Sequence, residues 1–226
     1  MSAINSKMLI TVIIQFLIPP LVFFLAAGTL SWFCGWIFLI LLYSFSFGIV
    51  LWLLRHNPGL IKERTGFKPD EPTWDNAYVI LLGILFFIWF ISMPLDAVRF
   101  HWSQMPTWLH VVGAIVASCS FYLSYLTYRE NPYLSSVVRV QEDRGQTVVS
   151  TGPYGYVRHP LYTGALLFFL GSGFLLGSWI GVLLGLILVG VLAKRAVREE
   201  CVLRVGLKGY DAYMAQVKYR LIPHVW

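Results

Sequence analysis

Three observations predict an all-α, polytopic integral membrane protein. Of 226 residues, 58% are hydrophobic and only 12% are charged, where an ordinary soluble domain carries about 25% charged residues. The apolar residues fall in six runs rather than spreading through one soluble core. The basic residues gather on alternate connections.

The runs cover residues 8–30, 32–54, 77–95, 108–128, 161–176 and 179–193. The first four reach or approach the ~20 residues of a spanning helix. The last two are short of a ~30 Å hydrocarbon core at ~1.5 Å per residue. Gly177-Ser178 joins them tightly. They are expected to form a helical hairpin that continues past Ala193, with its charged ends near one membrane face. A tilted or partly re-entrant pair fits the same lengths. Lys7 and Ala26-Ala27-Gly28 flank the first run as in a signal peptide. That run exceeds the ~7–15 residues of such a segment, so a retained first helix is expected. The chain reads as one membrane domain, 1–226, with N-terminal helices to about 130 and a catalytic region from 131.

Six passes put both termini on one side. That side would hold Lys7, Arg55, Lys62, Arg64, Lys68, Arg129, Arg139, Arg144, Arg158 and the basic residues from Lys194 to Arg220. Only Arg99 falls opposite. Basic residues stay in the cytoplasm, so both termini are predicted there. This asymmetry and anionic headgroups account for the net charge of +6. No basic stripe on a soluble fold points to nucleic acid. Cys34, Cys119 and Cys201 are scattered, with no C-x-x-C, and imply neither disulfides nor a metal site.

The polar connections, 55–76, 129–160 and 194–226, all lie on the predicted cytoplasmic side, which is where chemistry is expected. In Arg158-His159-Pro160, Pro160 suits the first turn of a helix. It pushes His159 toward extended geometry on the incoming loop. The helix end there offers free N–H groups and positive potential. Arg158 and His159 either hold an anionic group or serve as a headgroup anchor and a cap. Gly152-Pro153-Tyr154 marks a turn. Tyr154, Tyr156 and Tyr162 suit an interfacial belt or a pocket equally. Gly164 permits a close approach. Arg195 and Glu199, spaced i,i+4, share a helix face at the boundary of an apolar run. They form either an electrostatic collar or a pocket. In a pocket, the carboxylate would hold ligand hydroxyl or ammonium groups and the guanidinium an anionic group. Gly177, Gly181 and Gly185 repeat every four residues, a pattern for close helix packing. The 57–64 stretch and Trp74-Asp75 suit a lid or a solvated linker. Metalloprotease, serine-hydrolase, P-loop and Rossmann signatures are absent.

Taken together, Thr151-Gly152-x-Tyr154, Arg158-His159-Pro160-x-Tyr162-x-Gly164, Arg195-x-x-x-Glu199-Glu200, Tyr210-x-x-Tyr213 and Leu221-Ile222-Pro223 form an ordered series. It resembles the isoprenylcysteine carboxyl methyltransferase family and the related membrane phospholipid methyltransferases. The likeness runs from about Gln146 onward, and Glu63-Arg64…Trp74-Asp75 is similar to bacterial members. The resemblance implies a helical membrane enzyme using S-adenosylmethionine without a Rossmann domain. It implies that Gln146, Thr147, Val148, Val149, Tyr154, His159, Pro160, Leu161 and Tyr162 line the cofactor and that Glu199 binds it. Arg195 would face the acceptor's carboxylate, and Arg158, Arg195 and Glu199 form the implied catalytic set. The stretch 200–210 is one residue shorter than the family pattern, which leaves the roles of Tyr210 and Tyr213 open. The implied partners are membrane lipids and a lipophilic or prenylated acceptor. Carboxylate O-methylation is the first reading, and phospholipid N-methylation is the alternative. A membrane NADPH-dependent reductase of lipophilic enones and a non-catalytic scaffold are the rival classes.

Overall fold

The computed structural model describes residues 6–65 and 73–226. Its helices are α1 (Ser6–Ala27), α2 (Phe33–His56), α3 (Pro58–Thr65), α4 (Thr73–Pro94), α5 (Thr107–Glu130), α6 (Pro160–Leu176), α7 (Trp179–Gly206) and α8 (Tyr210–Gln216). Among the described residues there is no strand. Among the described residues, four stretches are long and apolar enough to cross a membrane: Phe33–His56, Trp74–Arg99, Thr107–Glu130 and Trp179–Gly206. Phe16–Ala27 and Pro160–Leu176 are shorter apolar helices. Large apolar side chains such as Leu17, Phe33, Ile84 and Leu183 point outward. A helical chain with this exterior is an integral membrane protein. All six predicted segments fall on helices. Of the basic residues on the predicted cytoplasmic side, Lys68 lies outside the described residues.

The α6–α7 hairpin forms as expected, and α7 runs unbroken for 28 residues. At ~1.5 Å per residue it is ~42 Å long, more than the ~30 Å core. Arg195, Glu199 and Glu200 lie about 24–32 Å along it from Trp179, toward the far end of such a core. Pro160 opens α6 at its first position, with His159 as the N-cap residue. Gly177 closes it at φ +78°, a left-handed conformation that glycine adopts without penalty. The Ser178 hydroxyl then caps α7 by accepting from Gly181 N at 2.8 Å. At this end of the bundle the fully buried Asp96 ties the turn together. Its Oδ2 accepts from the Ser178 and Ser103 hydroxyls at 2.5 and 2.7 Å.

The expected glycine series divides by task. Gly181 packs against Met93 of α4 and Gly185 against Phe169 of α6, while Gly177 is the turn residue. The tightest helix contact is elsewhere, between α5 and α6. A Cβ at Gly113 would lie 2.2 Å from Leu175 N, and one at Gly171 would lie 2.6 Å from Ala117 N. These backbones touch with no side chain between them, the mode that replaces hydrophobic driving force in lipid. The core beside this pair contains Phe23, Phe38, Trp89, Met93, Leu175 and Leu188. The Trp89 indole N–H reaches Gly181 O at 2.9 Å. With α4, α6 and α7 fixed in this way, the start of α4, the start of α6 and the end of α7 meet at the opposite end of the bundle.

Candidate active site

A cavity of about 280 Å³ lies where those three ends meet the 131–159 connection. This is near the lower end of the ~300–1,000 Å³ usual for small-molecule sites. Gln146, Thr147, Val148, Val149, Tyr154, Arg158, His159, Pro160, Leu161, Tyr162, Arg195 and Glu199 all line it. Residues of the 131–159 connection and of the end of α7 are thus gathered by the chain's return through the α6–α7 hairpin. Tyr156, by contrast, is exposed. Leu203, Leu207, Tyr210 and Tyr213 line it as well. They belong to a small second core with Val217, Val140 and Val148.

The ionised groups are ordered in three layers. Arg195 and Asp75 are both buried. Arg195 Nε donates to Asp75 Oδ1 at 2.7 Å and Nη2 to Asp75 Oδ2 at 2.9 Å. Nη2 also donates to Ser136 O at 3.1 Å. Asp75 accepts in addition from Val138 N at 2.8 Å. It sits in the first turn of α4, where the helix dipole favours an anion. Arg195 Nη1 donates to the Tyr162 hydroxyl, which donates to Glu199 Oε2 at 3.0 Å. One hydroxyl thus links the arginine to the carboxylate that shares its helix face.

Glu200 faces away from that link. Its Oε1 accepts from Arg158 Nε at 2.7 Å and lies 3.2 Å from His159 Nε2, while its Oε2 accepts from Arg220 Nε at 2.9 Å. Arg158 Nη1 donates to Val217 O at 2.7 Å. Two of the three guanidinium nitrogens of Arg158 are therefore held by the protein itself, and the group anchors the wall it lines. Residues 217–221 lock this wall from behind. Arg158 N and His159 N donate to Tyr219 O and Arg220 O, both at 2.9 Å. The Thr163 hydroxyl donates to Leu221 O at 2.7 Å.

On the far wall Arg139 binds Glu63 through Nε and Nη2, both at 3.0 Å, and Asp143 through Nη1 at 2.9 Å. The bonds to Glu63 and then Asp143 push the Arg139 pKa further up. Arg64 donates to Leu134 O at 3.1 Å and lies over the Tyr128 ring. These contacts pack α3 against the 131–139 connection, so 58–65 is a built part of the cavity's surround rather than a solvated linker. Asn131 Nδ2 donates to the Tyr154 hydroxyl, and the Tyr213 hydroxyl to Tyr154 O, both at 2.8 Å. Burial raises the Tyr154, Tyr210 and Tyr213 pKa values above the ordinary tyrosine range.

Sequence reasoning missed Asp75's partnership with Arg195, the Ser136 carbonyl and the bridging role of Tyr162. Trp74-Asp75 suggested a lid or linker, but 120 residues separate Asp75 from Arg195, and no local period reports such a pair. Among the described residues no cluster could hold a metal ion.

The fold and this end-of-bundle cavity define a class: polytopic helical membrane proteins whose C-terminal hairpin carries a polar site. The fold is similar to that of a solved eukaryotic intramembrane Ras methyltransferase, isoprenylcysteine carboxyl methyltransferase. The match covers 98% of this chain and 88% of that one, with a TM-score of 0.51 at 17% identity, a likeness of fold. By sequence, the family model described as phospholipid methyltransferase matches residues 108–205. The Schizosaccharomyces pombe protein-S-isoprenylcysteine O-methyltransferase is 36% identical over 86 residues. That alignment covers 37% of this chain and 36% of the yeast protein, about a third of each.

Proposed function

We propose that the protein is an S-adenosylmethionine-dependent methyltransferase acting at the cytoplasmic membrane face on a lipophilic acceptor, by O-methylation of an isoprenylcysteine-like carboxylate. Glu199 carries this reading. Among the described residues it is the cavity-lining carboxylate whose hydrogen-bond partner is a tyrosine rather than an arginine. It is about a quarter exposed and faces a wall of Val148, Val149, Leu203 and Leu207. An acceptor carboxylate beside apolar walls and buried tyrosines fits a cationic ligand with a flat ring and hydroxyl groups. The sequence matches over 108–205 and to the yeast enzyme support the same chemistry.

S-adenosylmethionine, when bound, supplies a methyl group already activated on a sulfonium. The chain's residues then have to align the acceptor and exclude water. Glu199 accepts hydrogen bonds from the ligand's polar groups. Leu203, Leu207 and the valines keep the site dry. Arg195 Nη1 orients the acceptor. A carboxylate nucleophile carries no proton, so no general base is required. The basic-residue asymmetry supports cytoplasmic termini and cofactor entry from that side, with the acceptor arriving through the bilayer.

The test is transfer of labelled methyl from S-adenosylmethionine to N-acetyl-S-farnesylcysteine and to a total lipid extract. Base-labile label in the first is expected. Glu199→Ala should weaken S-adenosylhomocysteine binding in calorimetry by about tenfold or more, the loss of a charge-assisted hydrogen bond. No label in either acceptor, or unchanged affinity in the variant, refutes the reading. Phospholipid N-methylation is the second reading, favoured by the family model over 108–205 and by the pairing of Arg195 with Asp75. Base-stable label in ethanolamine lipid would select it.

A further inference from the structure

Arg195 offers the cavity far less charge than its sequence position implies. A guanidinium has five N–H donors. Nε and one Nη2 hydrogen go to the two oxygens of Asp75, the other Nη2 hydrogen goes to Ser136 O, and one Nη1 hydrogen goes to the Tyr162 hydroxyl. One Nη1 donor remains, beside the cavity that Arg195 and Tyr162 line. Asp75 is fully buried and held by Val138 N at 2.8 Å, so it is fixed in place. The whole Nε/Nη2 edge faces protein, and the guanidinium charge is cancelled at contact distance.

We propose that Asp75 is a positioning residue for methyl transfer: it holds Arg195 by one edge and cancels its charge, so that Arg195 aligns an acceptor carboxylate without trapping it. This inference rests on the reading of the site as a carboxylate methyltransferase. In that reaction an oxygen lone pair of the acceptor forms the O–C bond to the methyl group. The C–S bond breaks and its electron pair stays on sulfur. One negative and one positive charge disappear, and no proton moves. An unpaired guanidinium would attract the acceptor most strongly before reaction and least once the ester forms. Binding of that kind stabilises the ground state more than the transition state and slows the chemical step. The Asp75 carboxylate removes that bias while leaving Nη1 as a directional donor.

The test compares wild type, Asp75→Asn and Asp75→Glu with N-acetyl-S-farnesylcysteine and its methyl ester. Affinities are measured by calorimetry on protein loaded with S-adenosylhomocysteine, and initial rates at saturating S-adenosylmethionine. Asp75→Asn should raise the preference for acid over ester by about tenfold, equivalent to about 1.4 kcal/mol. It should lower both KM and kcat for the acid while S-adenosylhomocysteine affinity holds within about twofold. Asp75→Glu restores the charge and should return the acid-to-ester preference to the wild-type value, with a lower kcat from the displaced guanidinium. An unchanged preference in Asp75→Asn overturns the inference. So does a raised KM with kcat preserved. If Asp75→Asn does not fold, an acid-to-ester preference in Asp75→Glu that departs from wild type overturns it. A wild type that methylates nothing overturns the functional reading as well, whereas an active wild type with indifferent variants overturns this inference alone.

Discussion

Gly113→Ala adds one methyl group where α5 and α6 touch backbone to backbone. The new Cβ would lie 2.2 Å from Leu175 N, 2.6 Å from Gly171 O and 2.8 Å from Leu175 Cα. Ordinary contacts of this kind begin near 3.4 Å, so the helices must separate by about 1.2 Å at this point. All three atoms are main chain, so no rotamer change relieves the clash. Overpacking of this type costs about 1–3 kcal/mol. For a chain of this size each kcal/mol lowers the melting temperature by about 2–4 °C, giving a fall of about 2–12 °C. Gly190→Ala is the control. Nothing lies within 4 Å of a Cβ there, and the residue is exposed on α7. Alanine there gains up to about 1 kcal/mol of helix propensity and should hold or raise the melt. Intrinsic tryptophan fluorescence in detergent at one fixed scan rate reads both variants. A Gly113→Ala melt within about 1 °C of wild type would show that α5 and α6 are not in backbone contact.

Glu200→Gln leaves Arg158 without its buried counter-ion and should destabilise by about 3–5 kcal/mol, seen as a lower melt and weaker S-adenosylhomocysteine binding together; binding lost at an unchanged melt would contradict the anchoring role. Burial raises the pKa values of Tyr154, Tyr210 and Tyr213, so the folded state keeps protons that the unfolded state releases above about pH 10. Their stabilisation is full below that pH and declines above it, and Tyr213→Phe should flatten the loss of melting temperature between about pH 9 and 11; a steeper loss would reverse the sign. Single cysteines placed at Lys7 and His224, in a background lacking the native three, should react with an impermeant maleimide only from the cytoplasmic side; labelling of either from outside would invert the topology.

The helices were legible because they rest on local chemistry, whereas most of the cavity lining followed from the likeness of the 146–199 motifs to a known family. Apolar runs report spans whatever surrounds them. Arg158-His159-Pro160 announces its helix start through proline geometry, which the structure realises with His159 as the N-cap residue. The Arg195–Glu199 spacing placed both side chains on one face, and both line the cavity. What stayed hidden depends on partners distant in sequence. Nothing around Arg195 tells that Asp75 takes its fork, or around Glu200 that Arg158 and Arg220 converge on it. The glycine series was legible only in part for the same reason. Four-residue spacing marks a face but not its neighbour, so Gly177 stood both in that series and in the tight Gly177-Ser178 joint, and its φ of +78° serves the joint. The closest contact used Gly113 and Gly171, which lie on different helices and form no motif within either one.

The strap formed by residues 217–221 also sets an order of assembly. These residues follow every helix in the chain, yet their carbonyls satisfy Arg158 N, His159 N, the Thr163 hydroxyl and the Arg158 side chain. The stretch is translated after all six apolar segments, so α6 and α7 are made before the carbonyls that lock this wall. Until it docks, the backbone ahead of α6 has unsatisfied donors and the buried Arg158–Glu200 pair is open to water. The wall of the pocket is thus completed by residues made after the helices it joins.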